Sequence, residues 1–597
     1  MAVAPLSRED LDFLLFDWLD IVALTDRPRF AEHSRDTFDA VLDVSADLAS
    51  RYFAPNNHLV DVQEPAMAAD GSVVIPAEVG EALAHFGAAG ITAGPFDDAI
   101  GGLQLPMTIG RACLAWFQAA NASIAAYPLL TIAAANLLCA HGSEEQIDTF
   151  VRPMLEGRYF GTMCLSEPEA GSSLADITTR AERAPDGTYR IVGTKMWISG
   201  GEHDLSENIV HLVLAKIPGG GPSVKGISLF VVPKYLADGT RNDVTLVGLN
   251  HKMGNRGTVN TLLSFGDAGG DGSDAPAPAG AVGYLVGEEH RGLAYMFHMM
   301  NEARIGVGMV AAAIGYRGYL KSVEYARERA QGRPIDNKDP ASPPVPIIEH
   351  PDVRRMLLAQ KAYVEGALAL GLYCSKLVDQ EHTAPDAAEA ARLNLLLEVL
   401  TPIAKSWPSQ WCLEANSLAI QVLGGYGYTR DFEAEQLYRD NRLNAIHEGT
   451  HGIQALDLLG RKVRLGEGAG LRVLADEIGA TIASAIDAGG VVAEQGAQLR
   501  DALDDFVATT DVLWSSPERS VTLANASIYL EAAGHITVAW IWLEQALCIG
   551  DRSGNFAEGK RQAARFFFTY ELPKVGPMLT LLGSLDRTTL DMQPEWF

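Results

Sequence analysis

The chain has only six cysteines in 597 residues (Cys113, Cys139, Cys164, Cys374, Cys412 and Cys548), and no two form a CxxC pair. That argues against a disulfide framework or a cysteine-based zinc site, and it sets the expectation of a reducing, cytoplasmic setting. Basic charge is also scarce. Lys and Arg number 47 against 75 Asp and Glu, a net charge of −28, and the sequence pI is about 4.9. So acidic a body is repelled by nucleic-acid phosphates and anionic lipid, and neither is expected as a main partner. A phosphorylated small molecule remains open wherever a few Arg and Lys converge. No G-x-x-x-x-G-K-[ST] occurs, so there is no P-loop. The start, MAVAPLSREDLDFLLFDWLD, lacks the basic n-region of a secretory signal. A charge-free stretch, Ala112 to Ala140, contains Gln118, Asn121, Pro128 and Asn136. It reads as two buried helices meeting at Tyr127-Pro128, and no membrane span is expected.

What is present is ordinary globular composition, 48% hydrophobic and 20% charged. At ~150 residues per domain the length allows about four units. Leu11, Leu14, Leu15, Trp18 and Leu19 follow helical spacing, and helical texture continues to about Glu156. Then TYRIVGTKMWISGG, NIVHLVLAKI, GISLFVVPKY, DVTLVGLN and VNTLLSFGD alternate with Gly, Pro, Asn and Asp, the pattern of antiparallel strands. GDAGGDGSDAPAPAG ends them as a small-residue surface loop. Helical periodicity then resumes, broken by the proline-rich RPIDNKDPASPPVPIIEHPD. Near the end, Ile536, Trp540, Leu543 and Leu547 form one apolar stripe. The expected class is α+β: an N-terminal helical domain (1–160), a central antiparallel β domain (161–286), a helical bundle (287–465) and an extra C-terminal helical domain (466–597).

Four segments carry candidate chemistry. HEGTH, His447 to His451, matches H-E-x-x-H, in which two His one helical turn apart bind zinc and the Glu acts as base. Against a zinc peptidase, Gly449 sits where a rigid helix is required, and Glu467 is the best nearby third ligand in a weak field. MCLSEPEAGSS is either a plain Ser/Gly/Pro loop or a backbone-rich ledge able to bond a planar heterocycle. In GTKMWISGGEHD, Trp197 lies in a strand, where tryptophan is more often core than cofactor contact. In QVLGGYGY the glycines would admit close approach of a phosphate or an adenine.

Taken together, MCLSEPEAGSS, GTKMWIS, MNEARIGVG, YARERAQG and QVLGGYGYTRDFEAEQLYRDNRLNAIHEGTHGIQ, in this order and within this layout, resemble the acyl-CoA dehydrogenase family over roughly residues 40 to 465. NIVHLVLAKI, IIEHPDVRRML, IQALDLLGRK and the C-terminal extension are similar to its large bacterial branch, which includes 3-methylmercaptopropionyl-CoA and broad-range fatty acyl-CoA dehydrogenases. The resemblance implies the acyl-CoA dehydrogenase fold, FAD as cofactor and an acyl-CoA substrate. It further implies α,β-dehydrogenation in fatty acid β-oxidation, with electrons passed to an electron-transferring flavoprotein. A flavin oxidase or monooxygenase on a non-CoA substrate shares the fold, but such members often replace the glutamate base. A catalytically silent flavoprotein is a further alternative.

Residue by residue, the family's base falls on Glu448, which would take the α-proton while the β-hydrogen leaves as hydride to flavin N5. A carboxylate suits that step when burial raises its basicity. The Glu448 backbone N–H and a flavin ribityl hydroxyl would serve the thioester oxygen. His447 stands where the family usually has Tyr, which affects the shape of the acyl pocket. Flavin contacts carry over to Met163, Leu165, Ser166, Gly171, Ser172, Trp197, Ile198 and Ser199, and adenine-side contacts to Thr450 and Gln454. Arg329, Gln421, Gly424 and Gly425 would reach the FAD of a neighbouring subunit; RAQGR lacks the phenylalanine usual in that turn. Ser172, Asn301, Arg304, Glu448 and Gly449 match substrate contacts, and Arg304 could equally be a structural ion-pair partner. No metal site is expected. The extra helices would cover the surface a second dimer otherwise occupies, giving a homodimer.

Overall fold

Runs rich in β-branched and aromatic residues, cut by turn residues, become strands. The computed structural model describes residues 4–221, 223–266, 280–337 and 339–597, without the side chains of 297–301. The small-residue loop at 267–279 therefore lies outside the described residues, as do the side chains of Met299 and Met300. The chain divides into two compact units, Arg35–Ala303 and Met1–Ser34 with Arg304–Phe597.

In the Arg35–Ala303 unit the main helices are α1 (Arg35–Leu48), α2 (Ala77–Ala88), α3 (Met107–Ala120) and α4 (Ala122–His141). The break in the uncharged stretch falls at Asn121, not at the expected Tyr127-Pro128. Asn121 is extended (φ −162°, ψ 94°) and its side chain caps α4 by accepting from the Ile124 N–H at 3.1 Å. An N-cap bond satisfies a donor that the new helix would otherwise strand. Pro128 lies inside α4; the buried helix tolerates a residue that costs ~3 kcal/mol in an exposed one.

Eight strands follow among the described residues: β1 (Tyr159–Cys164), β2 (Arg180–Arg183), β3 (Tyr189–Ser199), β4 (Asn208–Lys216), β5 (Ile227–Pro233), β6 (Val244–Leu249), β7 (Asn260–Phe265) and β8 (Ala281–Leu285). Their order is β8-β5-β4-β2-β3-β7-β6; β1 lies beside β4, and β8 also pairs with β3. Most pairings are antiparallel, but β1 runs parallel to β4, Tyr159 opposite Asn208 through Cys164 opposite Val213. A hairpin of β2 and β3 intervenes between them in sequence, which leaves room for the crossover a parallel pair needs. Ile191, Val213, Phe230, Leu263 and Phe265 fill the core. β1 presses on α4 closely enough that a Cβ on Gly161 would lie 2.5 Å from that of Ala134.

The second unit is helical: α5 (Gly292–Glu328, from Arg304 onward), α6 (Pro351–His382), α7 (Ala387–Leu423), α8 (Ala434–Asn441), α9 (His451–Gly460), α10 (Leu465–Ala488), α11 (Gly490–Ser515), α12 (Ala526–Ile549), α13 (Asn555–Phe566) and α14 (Val575–Gly583). Residues 4–34 fold with it, although periodicity places them at the head of the N-terminal helices. Asp10 lies in a buried ion pair with Lys560 of α13, and Trp18 donates to Glu544 of α12 at 3.1 Å. In the apolar stripe of α12, Ile536, Trp540 and Leu543 are buried. Among the described residues two helices, α4 and α12, are long and apolar enough to cross a membrane, but 67% and 78% of their most apolar windows are buried within the fold. Core helices of a globular protein have this character.

Candidate active site

One set of candidate residues clusters where β1 ends. Lys195 of β3 and Glu167 are both buried and lie 3.0 Å apart. The Glu167 carboxylate also accepts from the N–H and hydroxyl of Thr178 (2.6 and 2.8 Å) and of Thr179 (2.9 and 2.5 Å). Burial alone would raise its pKa, but the Lys195 charge and these donors outweigh it and hold the carboxyl at about 2. Lys195 donates as well to the Leu165 carbonyl at 3.0 Å, and the Met196 N–H donates to that of Ser166 at 3.0 Å. The 165–179 loop is thus bound to β3 by buried bonds, which satisfies the backbone of a segment too polar to pack by itself.

On β3, Trp197 sits in a bulge between Met196 and Ile198 with φ +66° and is 58% exposed. It is therefore not a core tryptophan. A positive φ is strained for a bulky residue, and a bulge re-aims its side chain. The Ile198 side chain is buried and its carbonyl accepts from Thr261, which leaves little of this residue accessible. The Ser199 hydroxyl accepts from Asn260 at 3.1 Å. Met163, Leu165 and Ser166 are half-buried beside Gly171 and Ser172, which are exposed. A Cβ on Gly171 would meet nothing within 4 Å.

The base candidate lies in the helical unit. HEGTH is not a helix: Glu448 has φ +52° and Gly449 φ +88°, and α9 begins only at His451 with Thr450 as its side-chain cap. The two histidines face different partners, His447 bonding Asn444 at 3.1 Å and His451 bonding Gln410. The one-turn spacing that the zinc motif requires is absent. Two side chains instead hold the left-handed turn. Gln454, fully buried on α9, donates to the Glu448 carbonyl at 2.8 Å, and Lys405 of α7 donates to that of Gly449 at 2.7 Å. A Cβ on Gly449 would fall 2.6 Å from the Gln454 amide nitrogen, so the position requires glycine for space as well as for φ. Burial raises the Glu448 pKa, with Lys405 and Arg304 opposing. Arg304 is buried and bonded to Asp457 at 2.8 Å, and Arg461 shares that carboxylate. Behind the loop, the buried side-chain amides are linked by hydrogen bonds, Asn441 donating to Asn416 at 2.7 Å and Asn444 to Asn441 at 2.9 Å, and the chain ends on His447. The Asn301 side chain lies outside the described residues.

A third group is separate from the base loop. α7 ends at Gly424 (φ +60°), and Gly424 and Gly425 have open space where a Cβ would stand. Gln421 is exposed beside them. Arg329 is also exposed, its guanidinium 5.8 Å from the centre of the half-exposed Tyr426 ring.

Sequence reasoning missed Lys405, Lys195 and the asparagine chain. The available signal for Lys405 was a lone charge in the run VLTPIAKSWPS; such a charge is seldom buried without a partner.

Residues 162–268 match the family described as acyl-CoA dehydrogenase, middle domain, and residues 290–463 match acyl-CoA dehydrogenase, C-terminal domain. Residues 474–593 match acetyl-CoA dehydrogenase C-terminal like. The chain is 38% identical to a 3-methylmercaptopropionyl-CoA dehydrogenase of Ruegeria pomeroyi, over 88% of this chain and 87% of that protein. It is 32% identical to a broad-specificity linear acyl-CoA dehydrogenase of Mycobacterium tuberculosis, over 97% and 95%. Its fold is similar to that of an acyl-CoA dehydrogenase complexed with FAD from Bacillus anthracis: TM-score 0.75, 18% identity, 95% and 93% covered.

Proposed function

The chain belongs to the acyl-CoA dehydrogenase family, and on that premise we propose that it oxidises an acyl-CoA thioester to the trans-2-enoyl-CoA, with FAD as cofactor and Glu448 as base. The observation that carries this reading is the base loop. A single carboxylate of raised proton affinity stands on a left-handed turn whose two successive carbonyls are held from outside the loop.

The residues fit the cofactor. The exposed, strained Trp197 offers a flat face for the isoalloxazine, and the pinned 165–172 segment offers backbone groups for its polar edge. Arg329 with the open Gly424 and Gly425 suits a pyrophosphate and adenine, from the FAD of a partner subunit in a homodimer. When bound, FAD supplies the acceptor for the β-hydrogen as hydride.

The chain's own residues do the rest. The Glu448 carboxylate takes the α-proton, and burial makes it basic enough to do so. Its backbone N–H donates to the thioester oxygen as enolate-like charge develops there. Gln454 fixes the carbonyl of the same residue, so that carboxylate and N–H keep one orientation. The reduced enzyme would then pass its electrons to an electron-transferring flavoprotein.

The test is the absorption spectrum of the purified protein before and after anaerobic addition of acyl-CoA. A yellow protein that bleaches is expected; a colourless one, or a flavin that acyl-CoA leaves oxidised, would overturn the reading. Light scattering checks the assembly, with two chains of 64.0 kDa expected.

A further inference from the structure

Lys405 lies within α7 between Pro402 and Pro408, and it is fully buried. Pro408 has no N–H to offer the Ala404 carbonyl, its normal partner one turn back. That carbonyl faces Gly308 of α5, where a Cβ would stand only 1.9 Å from it. The two helix backbones therefore meet at this point, one turn beyond Arg304, and Lys405 is fixed by both.

From there its ammonium donates to the Gly449 carbonyl at 2.7 Å. The charged groups in its surroundings come from three elements. The base loop contributes Glu448 and His447; α9 contributes His451; α5 contributes Arg304, which is paired with Asp457. His447 and His451 are kept neutral, at about 3 and 4, first by burial and then by Lys405. Arg304 is paired with Asp457, and its charge acts beside that of Lys405 at Glu448. Glu448 remains as the anion matched to Lys405. Burial pulls Lys405 down to about 7, against the attraction of Glu448 and with Arg304 assisting.

We propose that Lys405 is a positioning residue for the base: it holds the left-handed Glu448–Gly449 turn through the Gly449 carbonyl and supplies the positive charge that keeps the half-buried Glu448 carboxylate ionised. This rests on Glu448 being the base. Two functions in one side chain make separable predictions. Lys405→Met removes bond and charge together. Lys405→Arg keeps the charge but cannot place a donor at the same point. Gln454→Leu removes the other carbonyl clamp and leaves the charge alone.

The measurement is the pH dependence of flavin bleaching by acyl-CoA in a rapid-mixing experiment on the FAD-loaded enzyme. Wild type and Glu448→Gln are run first. A wild type that does not bleach, or a Glu448→Gln that bleaches normally, overturns the function reading and this inference with it. With those controls passed, Lys405→Met should move the acid limb upward by about one pH unit, the shift expected when a neighbouring opposite charge is lost. Lys405→Arg and Gln454→Leu should lose rate by about tenfold or more, with the acid limb where wild type has it. A Lys405→Met limb that does not move overturns the electrostatic role. Should Lys405→Met fail to fold or to retain FAD, Lys405→Arg decides: an acid limb displaced despite the retained charge overturns the proposal, and an unmoved limb with reduced rate supports it.

Discussion

Lys195 and Glu167 form a buried ion pair at 3.0 Å, and that pair ties the loop after β1 to the strand that carries Trp197. Removing one partner leaves the other buried without a counter-charge, which typically costs about 3–5 kcal/mol. Lys195→Met should therefore lower the melting temperature and FAD retention together, and Lys195→Met with Glu167→Gln should recover more than half of the loss. Thermal melts of the three variants check this. The pH sign follows from the depressed carboxyl, at about 2 in the folded state. Its contribution is complete above the ordinary carboxylate range and is lost as pH falls toward about 2. The gap in melting temperature between wild type and Glu167→Gln should thus narrow steadily below about pH 4.

Trp197 separates strain from function. Its φ of +66° carries a cost of order 1–3 kcal/mol, and its exposure means little burial is lost on removal. Trp197→Gly should leave the apoprotein as stable as wild type or more so, while FAD dissociates more readily on dialysis. An apoprotein that melts well below wild type would place the side chain in the fold and not at the cofactor.

Much of the fold was legible because the relevant signals are local. The five strand-like runs correspond to β3 to β7 within two residues at either end, since β-branched runs between turn residues state their own limits. β1, β2 and β8 were not foreseen: β1 follows directly on helical texture, β2 (RAER) is charged and β8 is short, and all three are set by their pairing partners. The helix break at Asn121 was attributed to Pro128 because proline is the louder signal, while a capping bond shows itself only in the folded chain. Glu448 was legible only through the company of its motif. Lys405 was not, because it meets Gly449 across 44 positions of sequence, where no local pattern reaches.

Gly449→Ala tests the turn. The added methyl would meet Gln454 at 2.6 Å and oppose a φ of +88°. Displacing a base by about 1 Å can cost ~10²-fold in rate. We expect a loss of that order in kcat, with FAD still bound. Stopped-flow reduction and flavin content measured on one preparation check both parts.

The C-terminal helices belong to the helical unit's core. A Cβ on Gly534 of α12 would lie 2.4 Å from Trp407 of α7, and Trp542 donates to the Ala362 carbonyl at 3.1 Å. Gly534→Val should destabilise by at least ~1–3 kcal/mol through overpacking, seen as an earlier thermal transition. A variant that melts like wild type would mean that α12 is loosely attached.

The central claim is that Glu448 is the base, and one variant tests it most directly. Glu448→Gln preserves size and cannot accept a proton, so the purified protein should be yellow, carry FAD as wild type does and bind acyl-CoA. Its flavin should bleach at least about 10³-fold more slowly than wild type in anaerobic stopped-flow mixing. Bleaching at a rate near wild type would contradict the account.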